Sequence, residues 1–367
     1  MMQNAGFLLD KHKDWNAFVE QVSDNTGVRY LHLWVEHAKA NKGRVKECGW
    51  AAADLLDIGS DKTAVLVGAS PALKNQLSTL RDLRADDRYI FIGVSSGLKF
   101  LLDNGIPPHY CMVMDADPAI DRFFKGIGDT KGITLIASVC TDPKILDSWK
   151  GPIKFLAVYT SIKKLNKQFK RLFAPVNGCG IMFPALCSQY NTAVAAAYRI
   201  LGCRVLLFVG NELSFPTATD ADRYYVDRED LKDKWVRKPH PDIHGNVVYT
   251  TYNFMTLKFA LEDYLQRLFV ECVSMEGRRP WFINATEAGI FGVSKRDGNL
   301  SVIGPDGERV TVVYQIPLQM AVKQANNIMA YGMPITPQGL IKPATISDLA
   351  YLRGENHERL FKPLSAV

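Results

Sequence analysis

Six short apolar runs between Thr63 and Gly210 constrain this chain more than any other feature: TAVLVG (63–68), RYIFIGV (88–94), HYCMVMD (109–115), ITLIASV (133–139), IKFLAVY (153–159) and RVLLFVG (204–210). Each is apolar almost throughout rather than at alternate positions, which is the pattern of strands buried on both faces and therefore of a parallel sheet covered by helices. The segments between them, such as Pro71 to Leu83, Ser96 to Asn104 and Pro184 to Leu201, are long enough for crossover helices. The expected core is a doubly wound, mostly parallel α/β sheet spanning residues 61–215. Gly105, following Asn104, is placed to end the second of these helices.

The flanks follow other periods. Trp15, Phe18, Val19 and Val22, then Leu31, Trp34, Val35 and Ala38, recur at helical spacing and predict a helical subdomain over residues 1–60. Past the last run, the polar stretch Asp220 to His244 reads as a surface insertion or lid. Residues 252–270 carry a broad apolar helix face from Phe254 to Phe269. Together, 216–292 are expected to complete a site. In 293–367, the turns Arg296-Asp297-Gly298-Asn299 and Pro305-Asp306-Gly307-Glu308 predict a small β-meander, followed by a helix over 318–330 and an irregular tail.

Composition narrows the function classes. With 47% apolar and 22% charged residues among 367, the chain suits a folded domain rather than disorder. The charge of 44 − 38 = +6 suits an anionic ligand. The one dense basic stretch, Lys163, Lys164, Lys167, Lys170 and Arg171, reads as a solvated helix face rather than a nucleic-acid groove. The seven cysteines form no CxxC pair and lie mostly among apolar neighbours, as reduced buried thiols do. The N-terminal MMQNAGFLLDKHKDW lacks a signal-peptide core, and Arg199 and Arg204 interrupt the most apolar stretch, so no membrane span and a cytoplasmic location are expected.

Ligands of doubly wound sheets bind beyond the carboxyl ends of the strands, and here those ends are small and polar. The first run leads into Gly68-Ala69-Ser70-Pro71, a strand-to-helix turn expected to present free N–H groups to a phosphate. The second leads into Ser95 and Ser96. The third leads into Asp115-Ala116-Asp117-Pro118, whose carboxylates suit ribose binding, Mg²⁺ or base catalysis, while Asp117 before Pro118 also suits helix capping. The last leads into Gly210-Asn211-Glu212. Metal-site spacing is not convincing: His240 and His244 lie among Pro239, Pro241 and Gly245, which deny them a helix. No GxSxG nucleophile elbow is present.

The segments VLVGASPAL, SSGLKFLLDNGIPPHYCMVMDADP and GCRVLLFVGNELSF, with the later GNVVYTTYNFMTLKFALEDYL and FINATEAGIFG, together resemble the motility associated factor family, related to MptE-like hydroxymethylpterin diphosphokinases. The resemblance runs from about Thr63 to Gly292. Relative to the family's GAGPSL, Ser70 stands for Gly and Ala72 for Ser; its GqDL becomes Gly210-Asn211-Glu212-Leu213. The resemblance implies a Rossmann-like domain and transfer of a nonulosonic, sialic-acid-like sugar from a CMP-linked donor to a protein, a glycan or, given the charge, a nucleic acid. In that reading Gly68, Ala69, Ser70, Pro71, Ser95, Ser96, Asp115 and Asn211 bind the donor. Asp117 or Glu212 deprotonates the acceptor, and Asn284, Thr286 and Glu287 shape the sugar side. No cofactor is required. Two alternatives stand beside it. An MptE-like diphosphokinase would hold Mg²⁺ through Asp115 and Asp117, and a nucleotide-binding or assembly protein would carry a degenerate site.

Overall fold

The structure, a computed structural model, describes residues 30–159, 163–173, 182–184, 188–218, 237–273, 279–294, 298–303 and 309–332. The six predicted runs form β1 (Thr63–Val67), β2 (Tyr89–Val94), β3 (Tyr110–Val113), β4 (Thr134–Ser138), β5 (Ile153–Tyr159) and β7 (Val205–Val209), with β6 (Met182–Pro184) between the last two. Further on come the hairpin of β8 (Lys238–Pro241) and β9 (Val247–Thr250), then β10 (Trp281–Asn284). The chain continues through β11 (Val293–Ser294), β12 (Gly298–Asn299), β13 (Ser301–Ile303), β14 (Arg309–Thr311) and β15 (Val313–Gln315). The principal helices are α1 (Leu77–Arg84), α2 (Ser95–Asp103), α3 (Gln189–Arg199), α4 (Tyr252–Glu271) and α5 (Leu318–Tyr331).

One nine-stranded sheet has the order β15-β10-β7-β1-β2-β3-β4-β5-β6, and each neighbouring pair in it is parallel. Its strands alternate faces, as the pleat requires. Val65, Val67, Phe91, Leu207 and Val209 pack under α1 and α5. Ala64, Leu66, Ile92, Leu206 and Phe208 pack under α3 and α4. The α/β Rossmann-like architecture expected from the runs is therefore the one observed.

The chain steps outward from β1 to β6, recrosses through α3, and lays β7 against the other side of β1. It leaves β1 toward α1 on one face and leaves β7 toward α4 on the other. The β1/β7 border is thus a topological switch point, where a crevice opens at the carboxyl edge of such sheets.

Three expectations are modified. Residues 293–315 do not form one meander: β11–β12 and β13–β14 are separate antiparallel pairs, and β15 joins the main sheet because Val313 and Tyr314 pack into its core. The crossover after β1 opens with a 3₁₀ turn, Pro71–Asn75, before α1. The N-terminal helices, 30–40, Lys42–Cys48 and Ala51–Asp54, pack into the main core, with Ala38, Val45 and Trp50 joining Phe155, Phe169 and Phe173. The expected helix around Trp15 to Val22, most of the polar stretch from Asp220, and the tail lie outside the described residues. No helix among the described residues is long and apolar enough to cross a membrane.

Candidate functional site

The expected site residues fall into two groups along the carboxyl edge, one mostly buried, called sealed below, and one mostly half-buried, called open. The sealed group lies at the β1/β7 border. Gly68 is a glycine because the backbones meet there: a Cβ would stand 2.1 Å from the Gly210 carbonyl oxygen. Gly68 N–H donates to Val209 O at 2.9 Å and Ser70 N–H to Gly210 O at 3.1 Å. Ala72 N–H donates to Glu212 Oε1 at 2.6 Å. The Gly68, Ser70 and Ala72 N–H groups of the turn expected to meet a phosphate are thus bonded within the chain. The chain's own carboxylate occupies its 3₁₀ N-terminus, a charge-assisted bond of the strong class.

Glu212, expected as a base, is buried and acts as a cap. Burial pushes its carboxyl pKa up, and the Ala72 N–H and the adjacent Ser70 hydroxyl pull it partly back. The Ser70 hydroxyl itself is fully buried and makes no hydrogen bond of normal geometry among the described residues. Ala69 is also buried, while Pro71 is half-buried at the first position of the turn.

The loop after β10 completes the seal. Asn284 donates through Nδ2 to Phe291 O at 3.1 Å and Gln315 Oε1 at 2.8 Å, and its Oδ1 accepts Thr286 N–H at 3.1 Å. Thr286 Oγ1 accepts Asn211 N–H at 3.3 Å. Both side chains are about 1% exposed, and these bonds hold the loops together where a sugar-side role was expected. Glu287 is exposed, but its Oε1 accepts the Leu318 N–H at 2.8 Å, which opens α5, and Gln76 Nε2 at 3.2 Å. Leu213 and Glu287 adopt φ of +53° and +65°. Such non-glycine conformations cost on the order of 1–3 kcal/mol and persist where surrounding contacts over-determine them. Here Thr250 Oγ1 grips Leu213 O at 2.8 Å, and His244 Nε2 lies 3.1 Å from Glu287 O.

The open group lies at the ends of β2 and β3. The N-cap residue of α2, Val94, makes no side-chain bond to the helix N-terminus. Ser95 is buried, and its N–H and hydroxyl donate to Gln189 Oε1 at 3.3 and 2.7 Å; Ser96 is half-buried on the same turn. Asp115 is half-buried, and its Oδ1 accepts Asp117 N–H at 3.0 Å. Burial raises the Asp115 pKa, and the Asp117 charge adds to the rise. The N–H groups of Asp117 and Ala116 and the Arg122 guanidinium oppose it. Asp117 caps the 3₁₀ turn Pro118–Phe123, as its place before Pro118 predicts, with Oδ1 accepting Ala119 N–H at 2.9 Å. Its Oδ2 accepts the Tyr30 hydroxyl at 2.7 Å.

Residues 41–218 match the family model described as 6-hydroxymethylpterin diphosphokinase MptE-like. The match covers just under half of the chain, which is there similar to an MptE-like domain. That domain spans β1 to β7 and both groups at the carboxyl edge, apart from the β10 loop and Tyr30. The whole fold is also similar to the structure of MAf glycosyltransferase from Magnetospirillum magneticum AMB-1, with a TM-score of 0.51 and 17% identity, covering 87% of this chain and 42% of that one. This chain therefore spans less than half the length of that protein, and the likeness is one of fold. Among curated proteins, none matches.

Sequence reasoning missed Gln76 and Gln189, within the matched region, and Tyr30, just before it. Each acts through a contact 87 or more residues away along the chain, and no local motif announces it. Among the described residues no group of three or more His, Cys, Asp or Glu side chains is arranged to hold a metal ion.

Proposed function

We propose that the MptE-like domain is a glycosyltransferase that takes a nucleotide-activated sugar, of the CMP-linked nonulosonic class, at the open ends of β2 and β3. The observation that carries this reading is the juxtaposition, at the carboxyl edge of the sheet, of the N-terminus of the nine-residue α2, to which its N-cap residue Val94 brings no side-chain bond, with a half-buried carboxylate on the adjoining strand end. The α2 N-terminus supplies oriented N–H groups and a positive dipole for the donor phosphate. Ser96 stands on that turn as a phosphate or ribose partner. The sealed β1 turn forms the wall beside it, since Gly97 of α2 abuts the Gly68 carbonyl.

Transfer needs little more. The acceptor hydroxyl oxygen bonds to the anomeric carbon, the bond from that carbon to the phosphate oxygen breaks, and the electron pair leaves with the nucleotide phosphate. Asp115 takes the hydroxyl proton. A raised pKa makes a carboxylate a better base, provided that the pH lies above it, so turnover falls on the acid side as Asp115 protonates. The acceptor is a hydroxyl-bearing protein or glycan.

The test is nucleotide release from CMP-, UDP- and GDP-linked sugars by the wild type and by Asp115→Asn. The expected result is release from the CMP donor and a loss of at least about 100-fold in the variant, the lower end of general-base contributions. Wild-type rates in Asp115→Asn would remove the base from this position.

The family description favours a second reading, diphosphate transfer from ATP, in which Asp115 and Asp117 would hold Mg²⁺. Those two carboxylates fit the ion less well than the first reading fits its donor, because both Asp117 oxygens already accept N–H and O–H donors. ATP-dependent, Mg²⁺-dependent diphosphate transfer with no nucleotide-sugar turnover would replace the first reading by the second.

A further inference from the structure

The acid loop after β3 is held from outside the matched domain. The helical segment 30–40 precedes the domain's first matched residue, and it crosses the carboxyl ends of β3 and β4. Contacts from Tyr30 and His37 within it, and from Asn41 directly after it, fix it there. Tyr30 donates its hydroxyl to Asp117 Oδ2 at 2.7 Å. His37 Nδ1 lies 3.1 Å from Cys140 O, and Asn41 Nδ2 donates to Val139 O and Thr141 O at 3.0 and 2.8 Å. His37 and Asn41 are buried, and both grip backbone. Tyr30 instead binds a carboxylate of the Asp115-Ala116-Asp117 loop.

We infer that Tyr30 is a positioning residue for the candidate base, acting through Asp117, so that this N-terminal helix is a wall of the active site. The inference rests on the reading of Asp115 as the base. Asp117 has one carboxylate oxygen on Ala119 N–H and the other on Tyr30, and its own N–H is on Asp115 Oδ1. The phenol thus closes a chain of hydrogen bonds that sets both where Asp115 sits and how deeply. Without the Tyr30 hydroxyl the Asp117 carboxylate turns to water, the loop relaxes, and Asp115 gains solvent. The groups acting on Asp115 are its burial and the Asp117 charge on one side, and the Asp117 and Ala116 N–H groups and Arg122 on the other. Gaining solvent removes the first and largest of these, so its titration moves down toward the ordinary carboxylate range.

The experiment is carboxyl ¹³C NMR titration of Asp115 in the full chain, as wild type, Tyr30→Phe and Asn41→Ala, with thermal melting of each. Tyr30→Phe is expected to fold and to lower the Asp115 midpoint by about 0.5 pH unit or more, the scale of losing part of a burial effect. Asn41→Ala loosens a backbone grip directly after that helix, and is expected to lower the melting temperature while leaving the Asp115 midpoint in place. Equal Asp115 midpoints in wild type and Tyr30→Phe would overturn the inference, as would equal displacement by both variants, which would mark a merely structural helix. Because the titration needs no substrate, it separates this inference from the activity. Should the nucleotide-sugar assay fail while Tyr30→Phe still moves Asp115, the activity reading falls and the positioning contact stands.

Discussion

Replacing Glu212 separates a cap from a base. Its Oε1 accepts the Ala72 N–H at 2.6 Å, and the side chain is buried between the β1 turn and the β10 loop. Glu212→Gln retains an acceptor for that N–H and removes the buried charge. Because burial raises the folded-state pKa above the ordinary 4.5, the stability tied to this group is fully present below that pH and is lost as pH rises through the folded value. The variant lacks that loss. Its stability should match the wild type at acid pH and exceed it at neutral pH. Glu212→Ala instead strands a buried N–H, at a cost of about 1–3 kcal/mol. At about 2.1 cal/mol/K of unfolding entropy per residue, a chain of this length would then melt roughly 1–4 °C lower. Melting curves of the three proteins at acid and neutral pH, together with nucleotide-sugar turnover, make the assay. A Glu212→Gln protein that melts normally but loses turnover about 100-fold would return Glu212 to the role of base. One that is as destabilised at neutral pH as Glu212→Ala would show that the charge itself holds the turn.

Other perturbations test the scaffold around the site. Lys258 and Glu262 form a buried pair on α4, at 2.6 and 2.7 Å, that also takes Gly292 N–H and Val293 O. Glu262→Leu should cost about 3–5 kcal/mol in denaturant unfolding, and adding Lys258→Met should recover part of it; strictly additive losses would deny the coupling. Gly289 has φ of +85°, and a Cβ there would meet Glu212 O at 2.1 Å, so Gly289→Ala should destabilise by more than about 1 kcal/mol. An unchanged melting temperature would mean that the loop does not pack as described. His109 accepts Phe91 N–H on Nδ1, and burial first, then Arg84 and Lys62, lowers its pKa to about 4. The stability tied to it is present above 6.5 and lost as pH falls toward 4, and His109→Asn should flatten that slope in pH-dependent melting.

Much of the fold was legible because strands buried on both faces announce themselves as unbroken apolar runs. The strands that escaped notice lack that signal. β6 is three residues long, ends in Pro184 and lies at the sheet's edge, where a missing donor is tolerated. β15 is as short, and it follows a turn signal that suits a meander equally well. The site was legible only in part. Strand-end logic pointed to the carboxyl edge, where the proposed site lies, and Asp-Pro correctly announced the Asp117 cap. Nothing local could show that Glu212 folds back on Ala72, a contact spanning 140 residues, or that Tyr30 reaches Asp117 across 87. Those two contacts engage Glu212 and Asp117, and the proposal of Asp115 as the base rests on them.

The most direct test of the central claim is a hydrogen-exchange footprint of the full chain with and without CMP. Protection is expected in peptides covering Ser95 to Leu98 and Asp115 to Ala119, with no change in those covering Asn284 to Gly292. Protection confined to the Asn284 to Gly292 loop, or no protection at the ends of β2 and β3 when CMP is bound, would contradict the assignment of the site to the open end of the sheet.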